Sequence, residues 1–207
     1  MACPNIELKG ERMKVYQTNE QLTRERLEHG QWNTQTRCWD GQELIPPFQW
    51  RVAYDPSCLW FMSRVPGPGT FNAELARGQF VEGLWEQDVA ELFVMTDGGS
   101  YQEFNVSPAG AWWSCGFSAY RVRQSENRVP EGVSIEVTSD PGSWQALLSI
   151  PRAELAFSPT EITGMHVAAI VHSPTTRYLS SAPMAGVQAD FHRKECFEPI
   201  ELQPFES

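Results

Sequence analysis

Residues 101–121 read YQEFNVSPAGAWWSCGFSAYR. The stretch alternates as a half-buried strand does, yet it sets Glu103 and Asn105 among aromatic residues and then places Trp112 beside Trp113. Its register against the preceding DVAELFVM (88–95) decides which side chains meet a core, because a slip of one residue exchanges the two faces of a strand. TDGGS joins the two segments. A loop of odd length, three residues with a left-handed glycine, sets Ala90 opposite Val106, Leu92 opposite Phe104 and Val94 opposite Gln102, leaving one face nearly all apolar. An even loop sets Glu91 against Val106 instead, so the odd loop is expected.

Ser107-Pro108-Ala109-Gly110 suits a type I turn, with Pro second and Gly fourth. A four-residue loop there places Phe104 opposite Trp113 and Asn105 opposite Trp112, and Cys115, Phe117 and Ala119 continue the apolar face. Trp113 is then expected in the core. Trp112 falls on the other face with Glu91, Phe93, Tyr101, Glu103, Asn105, Ser114, Gly116, Ser118 and Tyr120. Carboxylates and amides beside ring faces suit a saccharide, whose hydroxyls take polar partners while its C–H face lies on an aromatic ring. A solvated sheet face, or one covered by the N-terminal segment, has the same pattern.

The same alternation extends outward. In PFQWRVAYD, Phe48, Trp50, Val52 and Tyr54 share one face, and the Asp55-Pro56-Ser57 turn leads into CLWFMSRV as a hairpin. VSIEVT (133–138), SWQALLSI (143–150) and MHVAAIV (165–171) are further strands, with weaker ones at TRYLSS and FEPIEL and an early one at Met13–Gln17. Residues 19–30 suit a short helix between Asn19 as cap and Gly30 as stop, and Pro151–Leu155 one helical turn. VPGPGTFNAELARGQ reads as a loop with room to move. About ten short strands with little helix imply an all-β chain, an antiparallel β-sandwich. A single domain over 1–207 is expected, with residues 1–45 an irregular segment packed on a core over 45–202.

Sixteen Lys and Arg against 26 Asp and Glu give a formal net charge of −10 without a basic run, which argues against nucleic acid. No stretch approaches the roughly 20 apolar residues of a membrane span, and MACPNIELKGERMKV holds no signal-peptide core. The five cysteines are odd in number and lack CxxC spacing, so reduced thiols in a cytoplasmic protein are expected, Cys115 being buried and inert.

LWEQDVAELFV (84–94), YQEFNVSPAGAWW and FSAYR together resemble the DOMON-like, type-9 carbohydrate-binding superfamily. FQWRVAYDPSCLWFMSRV is similar to that group's early hairpin. DFHRKECFEPIEL is similar to its closing segment, through Asp190, Phe191, His192 and Phe197. The resemblance covers about residues 45–202. It implies a jelly-roll β-sandwich that binds a carbohydrate or other small ligand, with Trp85, Glu91, Glu103, Asn105 and Trp112 on matching positions. Sugar-binding members are normally secreted and fused to glycanases, from which this chain departs.

Three rival chemistries share these residues. Glu91 and Glu103 lie diagonally, roughly 7–8 Å apart at the backbone, within the range of roughly 5–9.5 Å that paired carboxylates of glycosidases use. Neither GxSxG nor a local Cys–His signature accompanies them. Haem, which some DOMON relatives bind, has possible ligands in Met62, Met95, Met165, Met184, His166, His172 and His192, without a CxxCH site. His166 and His172 share a strand face but stand about 20 Å apart, too far to ligate one ion together. Calcium, which type-9 modules can carry, finds no EF-hand spacing; Asp55, Asp97 and Asp140 sit in turns. The expectation is a saccharide-binding, non-catalytic protein without cofactor, a protein-interaction module being a further alternative. Trp112 would stack on the ligand, Glu91, Glu103 and Asn105 would meet its hydroxyls, and Trp85 and Tyr120 would form a second wall. Tyr101, Arg121 and His192 complete the expected site. The oligomeric state is left open.

Overall fold

The computed structural model describes residues 12–125, 128–182 and 188–206, so Cys3 and Met184 lie outside the described residues. Thirteen strands form one sheet that is continuous through its last strand and doubles over to face itself. They are β1 (Met13–Gln17), β2 (Asn33–Arg37), β3 (Glu43–Tyr54), β4 (Cys58–Pro66), β5 (Val89–Thr96), β6 (Tyr101–Val106), β7 (Trp112–Ala119), β8 (Val122–Arg123), β9 (Ser134–Asp140), β10 (Ser143–Pro151), β11 (Ile162–Val171), β12 (Arg177–Ser180) and β13 (Glu198–Pro204). One half runs β9-β10-β4-β3-β1-β13, with β2 on β3. The other runs β13-β11-β5-β6-β7-β8, with β12 on β11.

The β-sandwich expected from the alternation is therefore present, with more strands than the ten read from the sequence. The extra ones are polar or short: NTQTR forms β2 inside a region read as irregular, and β8 is a two-residue return. β1 also runs parallel to both of its neighbours, β3 and β13. The one α-helix among the described residues, α1 (Arg24–His29), stops at Gly30 as expected. Its cap is Thr23, whose hydroxyl accepts from Arg26 N–H, in place of Asn19. Asp55 closes the β3–β4 hairpin by accepting from Ser57 and Cys58 N–H at 2.7 Å, and its second oxygen accepts from Leu22 N–H and Trp60 Nε1.

Between the two halves lies a core that joins Phe48, Val52, Leu59 and Phe61 of one to Leu92, Phe104, Val106 and Val167 of the other. Each such buried side chain contributes about 1.5–3 kcal/mol. A second apolar cluster, with Phe93, Tyr101, Trp113 and Phe117, lies on the outer face of β5–β7. A third, with Tyr16, Leu27 and Met62, joins α1 to the outer face of β1, β3 and β4.

The β5–β6 register is the one expected: Ala90 opposite Val106, Leu92 opposite Phe104 and Val94 opposite Gln102. The β6–β7 register is one residue away from expectation, with Asn105 opposite Trp113 and Val106 opposite Trp112. Both loops have one geometry. Thr96 N–H bonds to Ser100 O around Gly99 at φ 81°, and Ser107 N–H bonds to Ala111 O around Gly110 at φ 80°. The Ser107–Gly110 turn forms, but its left-handed glycine belongs to a three-residue loop, so the incoming strand pairs one residue further, to Ser107, than a four-residue loop allows. The assignment of the two tryptophans is thereby reversed, and Cys115 and Phe117 change face with Trp113.

A Cβ at residue 99 would meet no atom within 4 Å, so the cost of Gly99→Ala isolates backbone strain. Chemical denaturation should show it about 1–2 kcal/mol less stable than the parent. Phe104→Ala, which empties a fully buried site, should cost about 3–5 kcal/mol.

Candidate functional site

The outer face of β5–β7 is covered along its edges by two segments. Leu84–Glu86, a single helical turn after the left-handed Gly83, carries Trp85. Fully buried Asp88 holds this lead-in by accepting from Thr70 N–H at 2.9 Å and His172 N–H at 2.7 Å. The closing segment brings Asp190, Phe191 and His192 over Phe93 and Tyr101. Between them opens a cleft of about 360 Å³. Glu91, Glu103, Arg121, Arg123, Asp190 and His192 supply its polar wall, and Trp85, Trp113, Phe117, Tyr178 and Phe191 its rings.

Five of the nine residues expected from the sequence line this cleft: Trp85, Glu91, Glu103, Arg121 and His192. Three others hold those in place. Asn105 is wholly buried and donates from Nδ2 to Glu103 Oε1 at 2.9 Å. Tyr101 hydroxyl accepts Arg121 N–H at 3.0 Å and stands 2.8 Å from His192 Nδ1. Tyr120, half exposed, donates to Asp190 Oδ2.

Trp112 is the exception, and its expected place on the open face needs correction. Its indole donates to Gly78 O at 3.2 Å, its ring packs edge-on against Phe80, and it is outside the cleft lining. The register shift described above exchanges it for Trp113. Trp113 meets Trp85 edge-on at 5.6 Å and lies under the Arg123 guanidinium at 5.3 Å. Arg123 in turn pairs with Glu82.

Hydrogen bonding orients the histidine. Where the Tyr101 hydroxyl donates to His192 Nδ1, 2.8 Å away, the imidazole carries its proton on Nε2, which faces Glu103 Oε2 at 3.8 Å. Burial, aided by the Arg121 cation, holds His192 down at about 4, so it faces Glu103 as a neutral donor. Burial pushes Glu103 up to about 7 despite the bond from Asn105. Glu91 is raised well above the ordinary carboxyl range by burial and then by the charge of Glu103, which Arg121 only partly offsets. Glu91 therefore keeps its proton to higher pH than an ordinary carboxyl, and in that form it both donates and accepts. Its cross-strand neighbour Asn105 has a buried Oδ1 without a partner, which lacks the kind of O–H that a neutral Glu91 carries.

Asp190 behaves differently. Burial works against its charge, but donors from Tyr120 and Arg121 and the N–H of His192 hold it below the ordinary range. Arg121, which reaches Asp190 at 2.9 Å rather than closing an ion pair on Glu91, is left-handed at φ 54°. Such strain costs about 1–2 kcal/mol and persists only where the surroundings over-determine it. Here Tyr101 holds the backbone and Asp190 the side chain.

The other residues weighed from the sequence have local explanations. His166 is buried and held at about 3 by burial, with Phe191 O 3.2 Å from Nδ1 and Ser180 Oγ 2.9 Å from Nε2. Cys115 is fully buried, and burial pushes its thiol to about 11. Among the described residues no group of three or more His, Cys, Asp and Glu is arranged to hold a metal ion. No helix among them is long and apolar enough to cross a membrane. Arg123, Tyr178 and the cleft side of Trp113 escaped the sequence reading. Arg123 sits on β8, a two-residue return too short to be read from the sequence.

No family model and no curated protein matches the sequence. Solved structures do match the fold. A protein of Bacteroides uniformis ATCC 8492, provisionally assigned as carbohydrate-binding, superposes with a TM-score of 0.71 at 17% identity, over 94% of this chain and 100% of its own. A family 9 carbohydrate-binding module from Caldicellulosiruptor kristjanssonii, in complex with glucose, gives 0.58 at 12% identity over 93% of this chain and 96% of its own. A family 9 module from the same organism with cellotriose gives 0.55 at 12% identity, over 93% and 94%. The chain thus has the fold of family 9 carbohydrate-binding modules, the type-9 side of the resemblance drawn from its motifs. The DOMON side gains no support from them.

Glu103 sets a pH dependence with a definite sign. Its folded pKa near 7 exceeds the ordinary carboxyl value, so the folded protein holds a proton that the unfolded chain has released. The resulting stabilisation is complete below about pH 4.5 and is lost as pH rises through about 7. Glu103→Gln removes it. Denaturation at a series of pH values should show the variant gaining on the parent by on the order of 2–3 kcal/mol between pH 5 and pH 8.

Proposed function

We propose that this chain is a carbohydrate-binding protein without catalytic activity, and that the cleft at Trp85 and Glu103 receives the saccharide. One observation carries the reading: the cleft sets accessible rings beside a wall of hydrogen-bonding groups, among them two buried carboxyls held above the ordinary range. A sugar hydroxyl both gives and takes a hydrogen bond, and a protonated Glu91 reciprocates both. Arg121 donates, and a neutral His192 offers Nε2–H. The C–H face of a pyranose needs an exposed ring, and Trp85 and Tyr178 are less buried than Trp113, whose ring Arg123 covers. Trp85 is accordingly the stacking residue and Trp113 its edge-on support.

The solved neighbours that hold glucose and cellotriose lend support at the level of ligand class. Binding without turnover fits the wall as well. Glu103 is bonded to Asn105 and faced by His192, groups that fix it in place beside a ligand. The reading extends to neutral saccharides and leaves the particular sugar to measurement.

Calorimetric titration with glucose and cello-oligosaccharides should give saturable binding. Trp85→Ala should weaken it at least tenfold, and Trp112→Phe should leave it within about twofold, each with an unchanged far-UV circular dichroism spectrum. Tenfold corresponds to about 1.4 kcal/mol, the size of one lost stacking contact. Absence of binding to a broad glycan panel, or full binding by Trp85→Ala, would overturn the assignment.

A further inference from the structure

A second cavity, of about 510 Å³, opens on the outer face of the opposite half of the sandwich. Its wall is drawn from β1, the end of α1, β3 and the chain after β13: Lys14, Tyr16, His29, Gly30, Arg51 and Glu206 among others. Arg51 is the distinctive member. It is 1% exposed and is the one buried Lys or Arg among the described residues. Among the described residues no carboxylate lies within ion-pair distance of it, and its one hydrogen bond runs from Nη1 to Leu27 O near the end of α1. Its Nε is buried without a partner.

Burying a cation is costly unless an anion or several acceptors compensate it. Arg51 has one carbonyl and two ring faces, Tyr16 at 4.8 Å and Phe205 at 4.6 Å. Those contacts orient the group without neutralising it. The chain has also cleared space for it: a Cβ on Gly30 would fall 1.3 Å from Arg51 Nη2, so glycine is required where the guanidinium crosses the backbone. Around it the fixed charges are Lys14 and Glu206, with His29 alongside, whose Nδ1–H donates to Glu25 O. Glu206 reaches into the same cavity without pairing with Arg51. Among the described residues the cavity's lining carries two cations, Lys14 and Arg51, and one carboxylate, in a chain of net charge −10.

We infer that this cavity binds an oxyanion, the carboxylate or phosphate group of a small molecule, with the Arg51 guanidinium as its fixed donor and Lys14 as its second charge. A planar guanidinium held against two rings presents donors to such a group with little entropy to lose. The site is distinct from the Trp85 cleft in strand, face and charge, and does not depend on the saccharide reading.

Two probes separate the possible sources of the anion. Inorganic phosphate and succinate, titrated by calorimetry into the full chain at constant ionic strength, should show saturable binding of at least one. Phosphate alone points to a phosphorylated ligand, and succinate alone to a carboxylate. Lys14→Gln changes an exposed residue and should weaken binding about fivefold or more with an unchanged circular dichroism spectrum. Arg51→Gln, if it folds, should abolish it. Lack of saturation with both anions, or unaltered affinity in Lys14→Gln, would overturn the inference and leave Arg51 as a structural tie for α1.

Discussion

Two glycines in the left-handed conformation, Gly99 and Gly110, govern everything built on β5, β6 and β7. Each closes a three-residue loop, and each thereby sets which residues of the next strand stand opposite which. Any other residue carries a Cβ penalty at such a φ, so the register is set by residue type at two positions. From it follow the core pairing of Leu92 with Phe104 and the outer row of Glu91, Glu103 and Trp113. A slip of one residue at Gly110 would turn Trp113 and Phe117 inward and remove two rings from the cleft.

The outer face thus arranged is not wet. The lead-in around Trp85 and the closing segment around His192 cover it, and this covering both positions the rings and desolvates the acids. What distinguishes the three carboxyls is the supply of donors. Asp190 has a phenol, a guanidinium and a backbone N–H and remains ionised. Glu103 has Asn105 and a distant imidazole, and titrates near neutrality. Glu91 lies beside Glu103 with only the distant Arg121 to favour its charge, and it is held well above the ordinary carboxyl range. Asp190 is also the least buried of the three, so exposure and hydrogen bonding sort them together.

The alternation of PFQWRVAYD and DVAELFVM made the sandwich legible, since period two with one apolar face is a local property of a chain. The first β-hairpin loop was legible too, because only an odd length kept Glu91 out of the core. The second was misread because the test applied there, that one face be wholly apolar, loses force when both faces are buried. Observed β7 puts Ser114 inward, where Gln102 Nε2 donates to it at 3.2 Å, and puts Trp113 and Phe117 outward against covering segments. Polar β2 was invisible for the complementary reason, since NTQTR buries too little to alternate. Glu91, Glu103, Arg121 and His192 were found because their positions depend on the first loop or on the motif. Trp112 was lost because its position depends on the second.

The two outer faces solve the same problem in opposite ways. On one, acids are buried without enough cations, and they answer by keeping their protons to higher pH than ordinary carboxyls. On the other, Arg51 is buried without an anion, and protonation offers no escape, because a guanidinium retains its charge across the physiological range. A carboxyl can shed the cost of burial by changing its state, but an arginine has to be met by a partner. The Leu27 carbonyl and the rings of Tyr16 and Phe205 meet part of that need, and Nε remains unpaired. The difference in titration chemistry between the two side chains is therefore what makes one cavity fit for a neutral ligand and the other for a charged one.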